Sequence, residues 1–340
     1  MDLTQEIADR VRAATGPLRI AGAGTKAWYG RAVVGEVLDL TGHSGIVDYD
    51  PSELVVTARA GTPLAEIEAA IAAHGQMLAF EPPAFGTLGG AVATGLAGPR
   101  RPFTGAVRDY VLGVRVLDGR GDVLRSGGTV FKNVAGFDAF RLMSGAHGTL
   151  GVILDVSLRV TPRPRVEVSL AFDMAGGPAR DWVTGLMVRP LPLSGAFHDG
   201  ERLHLRLSGG EAAVSQAAAE LGGEAEGLEL WSVLRDLKHP ALAGPVLWRI
   251  ALPQTADIPA LEGRLAWDWG GGQVWLSAEA ADPQVWTKAA AAGGHATLIR
   301  GGKDQVFQPL EPALFKLHQR IKAALDPAGI LNPGRMHEGL

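Results

Sequence analysis

Residues 85–98 read FGTLGGAVATGLAG, five glycines among fourteen positions, with small or apolar residues between them. No side chain there can act as acid, base or nucleophile. A flexible linker would be rich in serine and charge, whereas this run carries Leu88, Val92 and Leu96. Three further glycine-dense stretches accompany it: PLRIAGAGTKA from Pro17, GGTVFKNVAGFD from Gly127 and SGAHGTLGVI from Ser144. Glycine belongs where backbone approaches a flat ligand closely or takes positive φ. Ordered backbone pressed against a large cofactor accounts for all four stretches; tight packing between sheet layers is the plainer alternative.

Gly22-Ala23-Gly24-Thr25-Lys26-Ala27 fits G-x-G-x-x-A after a strand. A Rossmann unit also needs a helix starting at those glycines. WYGRAVVGEVLDL follows instead, without helical periodicity. Successive backbone N–H groups in such a turn form an anion-binding nest; a tight inter-strand turn is the equal alternative.

The 340 residues allow roughly two domains. Apolar residues are 46% and charged residues 20%, with net charge −4 and no basic stripe, so nucleic acid is not an expected partner. Cysteine is absent, which excludes thiolate catalysis, disulfides and Cys-ligated clusters in this chain. Any one-electron relay therefore sits on another subunit. The first fifteen residues lack an apolar signal core, no apolar stretch reaches the ~20 residues of a membrane span, and a cytoplasmic protein is expected.

Along the chain, Thr4 is expected to cap a first helix that ends at Gly16, and Thr62-Pro63 to start a second that stops at Gly75. YVLGVRVLD and GDVLRSGG read as a hairpin turning at Asp118-Gly119, and Pro162 and Pro164 suit a segment leaving the domain. A boundary is expected near 165. Strands and helices then alternate to about 305, as HLRLSGG, EAAVSQAAAELGG, VLWRIALP, GQVWLSAE and PQVWTKAAAAGG. This is an α+β pattern of the split βαβ type. The tryptophans concentrated there are expected in sheet core. A last helix should put Leu314, Leu317, Ile321 and Leu325 on one face; no internal repeat of fixed period is visible.

Side chains for chemistry are few. Lys132 and Asn133 are possible ligand contacts; Asp138 and Arg141 read as braces, Arg100 and Arg101 as surface charges. No H-E-x-x-H, G-x-S-x-G or Walker pattern occurs, and no metal site is expected. His204 and His295 read first as structural. A cradle with few reactive groups points to a redox protein whose cofactor carries the hard step.

The runs 53–83, 86–117 and 127–153, with the tail DPAGILNPGRM, resemble the vanillyl-alcohol-oxidase-type (PCMH-type) FAD-binding family, and more narrowly the FAD-binding E-type subunits of bacterial glycolate oxidases. The likeness covers nearly all of the chain and is weaker in the cap, where VLWRIALP and GGHATLIRGG carry it. It implies an α+β fold: a two-subdomain FAD-binding domain over 1–165, a smaller ferredoxin-like cap over 166–305 and a helix and tail over 306–340 returning to the first domain. Gly22, Ala23, Gly24, Thr25 and Lys26 would hold the pyrophosphate. Thr87, Leu88, Gly89, Gly90, Thr94, Gly95 and Gly98, with Gly105 and Ala106, would line the diphosphate and ring edge. Val152 and Ile153 would face the adenine, and Asn332 would reach the flavin.

The nest loop has no histidine, so FAD is expected to be non-covalent. The resemblance implies oxidation of glycolate or another small 2-hydroxy acid within a complex that adds a paralogous catalytic FAD subunit and an iron–sulfur subunit, with peripheral attachment to the inner membrane as an option. Arg249, His295 and Arg300 are the available carboxylate or base candidates. A self-sufficient D-lactate-type dehydrogenase and a non-catalytic subunit that keeps the fold are the rival readings.

Overall fold

In a computed structural model the described residues are 1–128, 139–302 and 304–340; Lys132, Asn133 and Asp138 lie outside them. The chain opens with α1 (Thr4–Ala13), whose Ile7, Ala8 and Val11 are buried. Thr4 does not cap it: Thr4 is already helical and its N–H is taken by the Asp2 carboxylate at 2.9 Å. β1 (Leu18–Ala21) and β2 (Glu36–Asp39) pair in parallel, with the turn from Gly22 between them and no helix, so this is not a Rossmann unit.

The first large sheet comes from β3 (Ile46–Asp50), β4 (Val55–Arg59), β6 (Val111–Leu117), β7 (Val123–Gly127) and β8 (Val152–Arg159), antiparallel in the order β3-β4-β8-β6-β7. Between β4 and β6 run α2 (Leu64–Ala72), β5 (Gln76–Met77), α3 (Leu88–Thr94), α4 (Arg101–Thr104) and α5 (Val107–Tyr110); β9 (Thr161–Pro162) pairs with β5. Pro63 precedes α2 and Gly75 follows it at φ +67°, the expected start and stop. Ile67, Ile71, Leu88, Val92 and Phe80 pack against the alternating apolar residues of β4, β6 and β8.

The second sheet is built from β10 (Val166–Phe172), β11 (Leu193–His198), β12 (Leu203–Gly209), β13 (Glu224–Glu226), β14 (Val246–Ala251), β15 (Arg264–Asp268), β16 (Gln273–Ala278) and β17 (His295–Arg300). Their order is β13-β10-β12-β11-β15-β16-β14-β17. With α6 (Gly176–Met187) and α7 (Glu211–Leu221), the first four strands make one split βαβ unit. The last four repeat its order in mirror sequence, keep only the second helix, α9 (Gln284–Ala291), and meet the first unit at the single pair His198–Trp267. The sequence shows no such duplication because the halves share topology and not residues.

Trp248, Ile250, Trp267, Val274 and Leu298 face α6, α7 and α9. The opposite face, with Phe197, Leu247, Trp275 and Ile299, takes α8 (Glu229–Arg235) and Tyr29 and Leu96 from the first half of the chain. A buried ion cluster joins the halves. Glu81 binds Arg100 (3.2 Å) and Arg206 (2.9 Å), and Arg100 also reaches Glu167 (2.5 Å). Arg100 is thus 5% exposed, not a surface charge; its charge is matched by two carboxylates it meets only in three dimensions.

The final helix is α10 (Pro312–Leu325). Its one buried residue is Lys322, while Leu314 and Leu317 are 44% and 47% exposed. The tail then returns to the first half, where Leu331 bridges Leu18.

Candidate functional site

The turn after β1 forms one wall of a groove of about 680 Å³. Ala27 N–H donates to Gly24 O and Tyr29 N–H to Lys26 O, both at 3.1 Å. Gly24 has φ +70° with open space where a Cβ would stand, and a Cβ on Gly22 would overlap Thr87 Oγ1. The tail fixes this turn. Arg335 donates to the carbonyls of Arg31 and Tyr29 (both 2.6 Å) and Ala27 (3.2 Å). Asn332 accepts the Ile20 N–H at 2.8 Å and donates to His147 O at 2.7 Å.

The other wall is α3 and its cap, with Thr87, Gly90, Ala93 and Thr94, and the loop that carries His147. Thr87 caps α3 through Gly90 N–H (3.4 Å). An adjoining hollow of about 430 Å³ shares Gly22, Thr87, His147 and Asn332 and extends the groove toward Ala60, Gly151 and Ile153.

Among the described residues, three cations, Arg19, Lys26 and Arg335, line the groove and no acid does. Arg19, paired through its backbone in β1, has no side-chain hydrogen bond or ion pair among the described residues. Burial pushes the Lys26 ammonium down to about 8; it donates to Phe85 O at 2.5 Å. Burial, reinforced by Arg335 and Arg249, holds His147 down at about 3, a neutral imidazole. Backbone amides, cations and no carboxylate suit a diphosphate, and an elongated glycine-walled cleft suits the rest of a dinucleotide.

Of the residues expected from the sequence, Gly22 to Lys26, Thr87, Gly90, Thr94 and Asn332 line the groove, and Gly89 and Ile153 the adjoining hollow. Leu88 and Val152 point into the core. Gly95 ends α3 against Gly145, and Gly98 lies against the Glu81 carbonyl. Gly105 and Ala106 lead into α5, where Asp109 takes the Ala106 N–H at 2.8 Å. Arg19, His147 and Arg335 were not singled out. His147 stood in one of the quoted glycine runs, between Gly145 and Gly148, and Arg335 in the tail.

Alternation along the cap strands brings Arg249, Asp268, Gln273 and His295 to the sheet face that Leu247 and Trp275 share, turned toward the groove. Arg249 donates to the Tyr29 hydroxyl at 2.6 Å, and the Tyr29 ring stands edge-on to His147 at 4.7 Å. Asp268 accepts from Gln273 at 2.8 Å; burial pushes it up to about 7 against the opposing Gln273 bond and the charges of Arg249 and Arg101. Arg101 lies 4.2 Å over the Trp269 ring, whose indole N–H donates to Gly98 O at 3.0 Å. Trp269 itself holds φ +55°, strained for a bulky residue. His295 is exposed at the start of β17. Arg300 instead ties the carbonyls of Leu242 (3.1 Å) and Gly244 (3.0 Å), and Arg141 stands 3.8 Å from Asp109.

The FAD binding domain family matches residues 2–127, and the C-terminal domain of FAD linked oxidases matches 302–336. The chain is 47% identical to glycolate oxidase subunit GlcE of Escherichia coli, over 100% of this chain and 99% of that one. It belongs to the FAD-linked oxidase family. Shorter likenesses run to D-lactate dehydrogenase of Anaerostipes hadrus (34% identity, 40% of this chain and 29% of that one) and glycolate oxidase subunit GlcD of Bacillus subtilis (32%, 37% and 27%). An alkyldihydroxyacetonephosphate synthase shares the fold at TM-score 0.65 and 14% identity, over 97% of this chain and 74% of that one. The cofactor of this FAD-linked oxidase chain is FAD, and the cation-lined, glycine-walled groove fits it.

Proposed function

We propose that the chain is the FAD-binding subunit of a complex that oxidises glycolate to glyoxylate. The observation that carries the reading is the groove, with three cations and, among the described residues, no acid, beside a nest of backbone amides, in a chain matched end to end by a glycolate oxidase subunit. Arg19, Lys26, Arg335 and the amides from Gly22 hold the diphosphate; Thr87, Gly90 and Asn332 fix the cleft around it. When bound, FAD supplies a two-electron acceptor for the hydrogen leaving the substrate carbon.

The cap's part is to receive the acid. Arg249 and Arg101 place two guanidiniums near the mouth of the groove for a carboxylate. Asp268, raised to about 7, is the carboxylate suited to take the hydroxyl proton near neutral pH; His295 is the exposed alternative. Arg300 braces a loop. FAD is held without a covalent bond, because the nest carries no histidine; acid precipitation should leave the flavin in the supernatant, and flavin in the pellet would mark His147 as an attachment point.

Electrons leave to an iron–sulfur chain, since no cysteine here can ligate a cluster, and a paralogous flavin chain completes the complex. Among the described residues no helix is long and apolar enough to cross a membrane, so contact with the inner membrane runs through the complex. The test is anaerobic addition of glycolate. The isolated chain should be yellow and stay so, while the assembled complex bleaches. Bleaching of the chain alone would favour a self-sufficient dehydrogenase, and a colourless chain that cannot be reconstituted would leave only a structural subunit.

A further inference from the structure

α10 is anchored in an unusual way. Lys322 Nζ donates to Thr149 O (2.7 Å), Leu331 O (2.7 Å) and Asp326 (2.6 Å), which pins the helix to the loop Ser144–Leu150 and to the tail. The apolar stripe is therefore free to point outward: Leu314, Leu317 and Ile321 recur at helical spacing along one side. Ile321 continues the stripe into a hollow of about 630 Å³ with Leu142, Leu150, Met336 and Leu340 on its walls. Leu142 is 47% exposed. Contiguous exposed apolar surface of this kind marks an interaction site, unlike single scattered leucines.

We propose that this face docks the electron-accepting chain of the complex; the inference rests on the complex reading above. Two observations select that occupant. The floor of the hollow is the loop Ser144–Leu150, whose Ser144, Ala146 and Thr149 face the hollow while His147 faces the FAD groove. One loop separates a chain seated here from the cofactor's cradle. The exposed surface of α10 also carries Lys316 and Arg320, and the helix has no acid between Glu311 and Asp326. The complementary partner surface is apolar and rimmed by Asp and Glu. A concave hollow receives inserted side chains, which a flat bilayer does not supply.

The experiment co-expresses this chain, tagged, with the paralogous flavin subunit and the iron–sulfur subunit, and measures the iron–sulfur chain retained per bound flavin. Leu314→Asp/Leu317→Asp should lower retention at least about tenfold, and Lys316→Glu/Arg320→Glu should lower it and weaken its salt dependence. Visible flavin absorbance should be unchanged in both. If the leucine variant loses flavin as well, the charge-reversal variant decides alone. Wild-type chain that retains no iron–sulfur subunit would sink the complex reading itself. Retention equal to wild type in both variants sinks only the docking face. Sedimentation of the wild-type chain with phosphatidylglycerol vesicles, abolished by Leu314→Asp/Leu317→Asp while the partner stays bound, reassigns the face to lipid and overturns the proposal.

Discussion

Gly22 and His147 show what single residues decide. A Cβ at Gly22 would collide with Thr87 Oγ1, so Gly22→Ala must push the nest away from α3. FAD affinity should fall by about 1–3 kcal/mol, read by flavin fluorescence titration; unchanged affinity would mean the wall gives freely. His147 is held at about 3 against 6.5 when free. Between those values the unfolded chain binds the extra proton, so the stability from the neutral imidazole is complete above 6.5 and declines as pH falls through the window. His147→Asn keeps a residue that tolerates its φ of +53° and should remove up to about 1.4 kcal/mol per pH unit of acid slope from denaturant titrations.

Asp268 has the opposite sign. A carboxyl raised from 3.8 to about 7 contributes fully below 3.8 and loses that contribution as pH rises toward 7. Asp268→Asn should flatten stability across that range and, in the assembled complex, abolish the neutral limb of the pH–rate profile. Glycine was legible as a residue type at these walls. The histidine was not, because nothing local distinguishes a groove-facing His from a structural one.

At the scale of elements, the opening glycine run is neither linker nor continuous loop. Leu88–Thr94 is helical, capped by Thr87 and ended by Gly95 at φ +63°. Gly89 is there because a Cβ would stand 2.7 Å from that of Ala60. Packing and ligand approach thus share the glycines, one within the sheet layers and the other at the groove. The nest loop holds its shape through the tail: Arg335→Lys keeps the charge but forfeits the fork that reaches several carbonyls. It should raise the FAD dissociation constant about tenfold with little change in melting temperature. A melting temperature lowered in step with affinity would make Arg335 a general stabiliser.

At the scale of the molecule, the cluster of Glu81, Arg100, Arg206 and Glu167 decides how the cap sits on the groove. Glu81→Ala would leave the buried Arg206 without its carboxylate and the buried Arg100 with Glu167 alone, a loss on the order of 3–5 kcal/mol. Thermal unfolding should then split or drop sharply, and a single unshifted transition would show that packing around Tyr29 and Leu96 suffices to seat the cap.

Local sequence was enough to read β1, β6, β7, β12, β14 and β16, the α2 boundaries and the hairpin at Asp118-Gly119, because these follow from periodicity and turn chemistry over a few residues. The mirrored cap halves, the burial of Arg100, the outward stripe of α10 and the meeting of Arg19, His147 and Arg335 arise from long-range packing. In each of these a side chain's environment is supplied by partners dozens to hundreds of positions away. Whether a leucine stripe is buried, or a charge matched, depends on what packs against it, and local spacing carries no record of that.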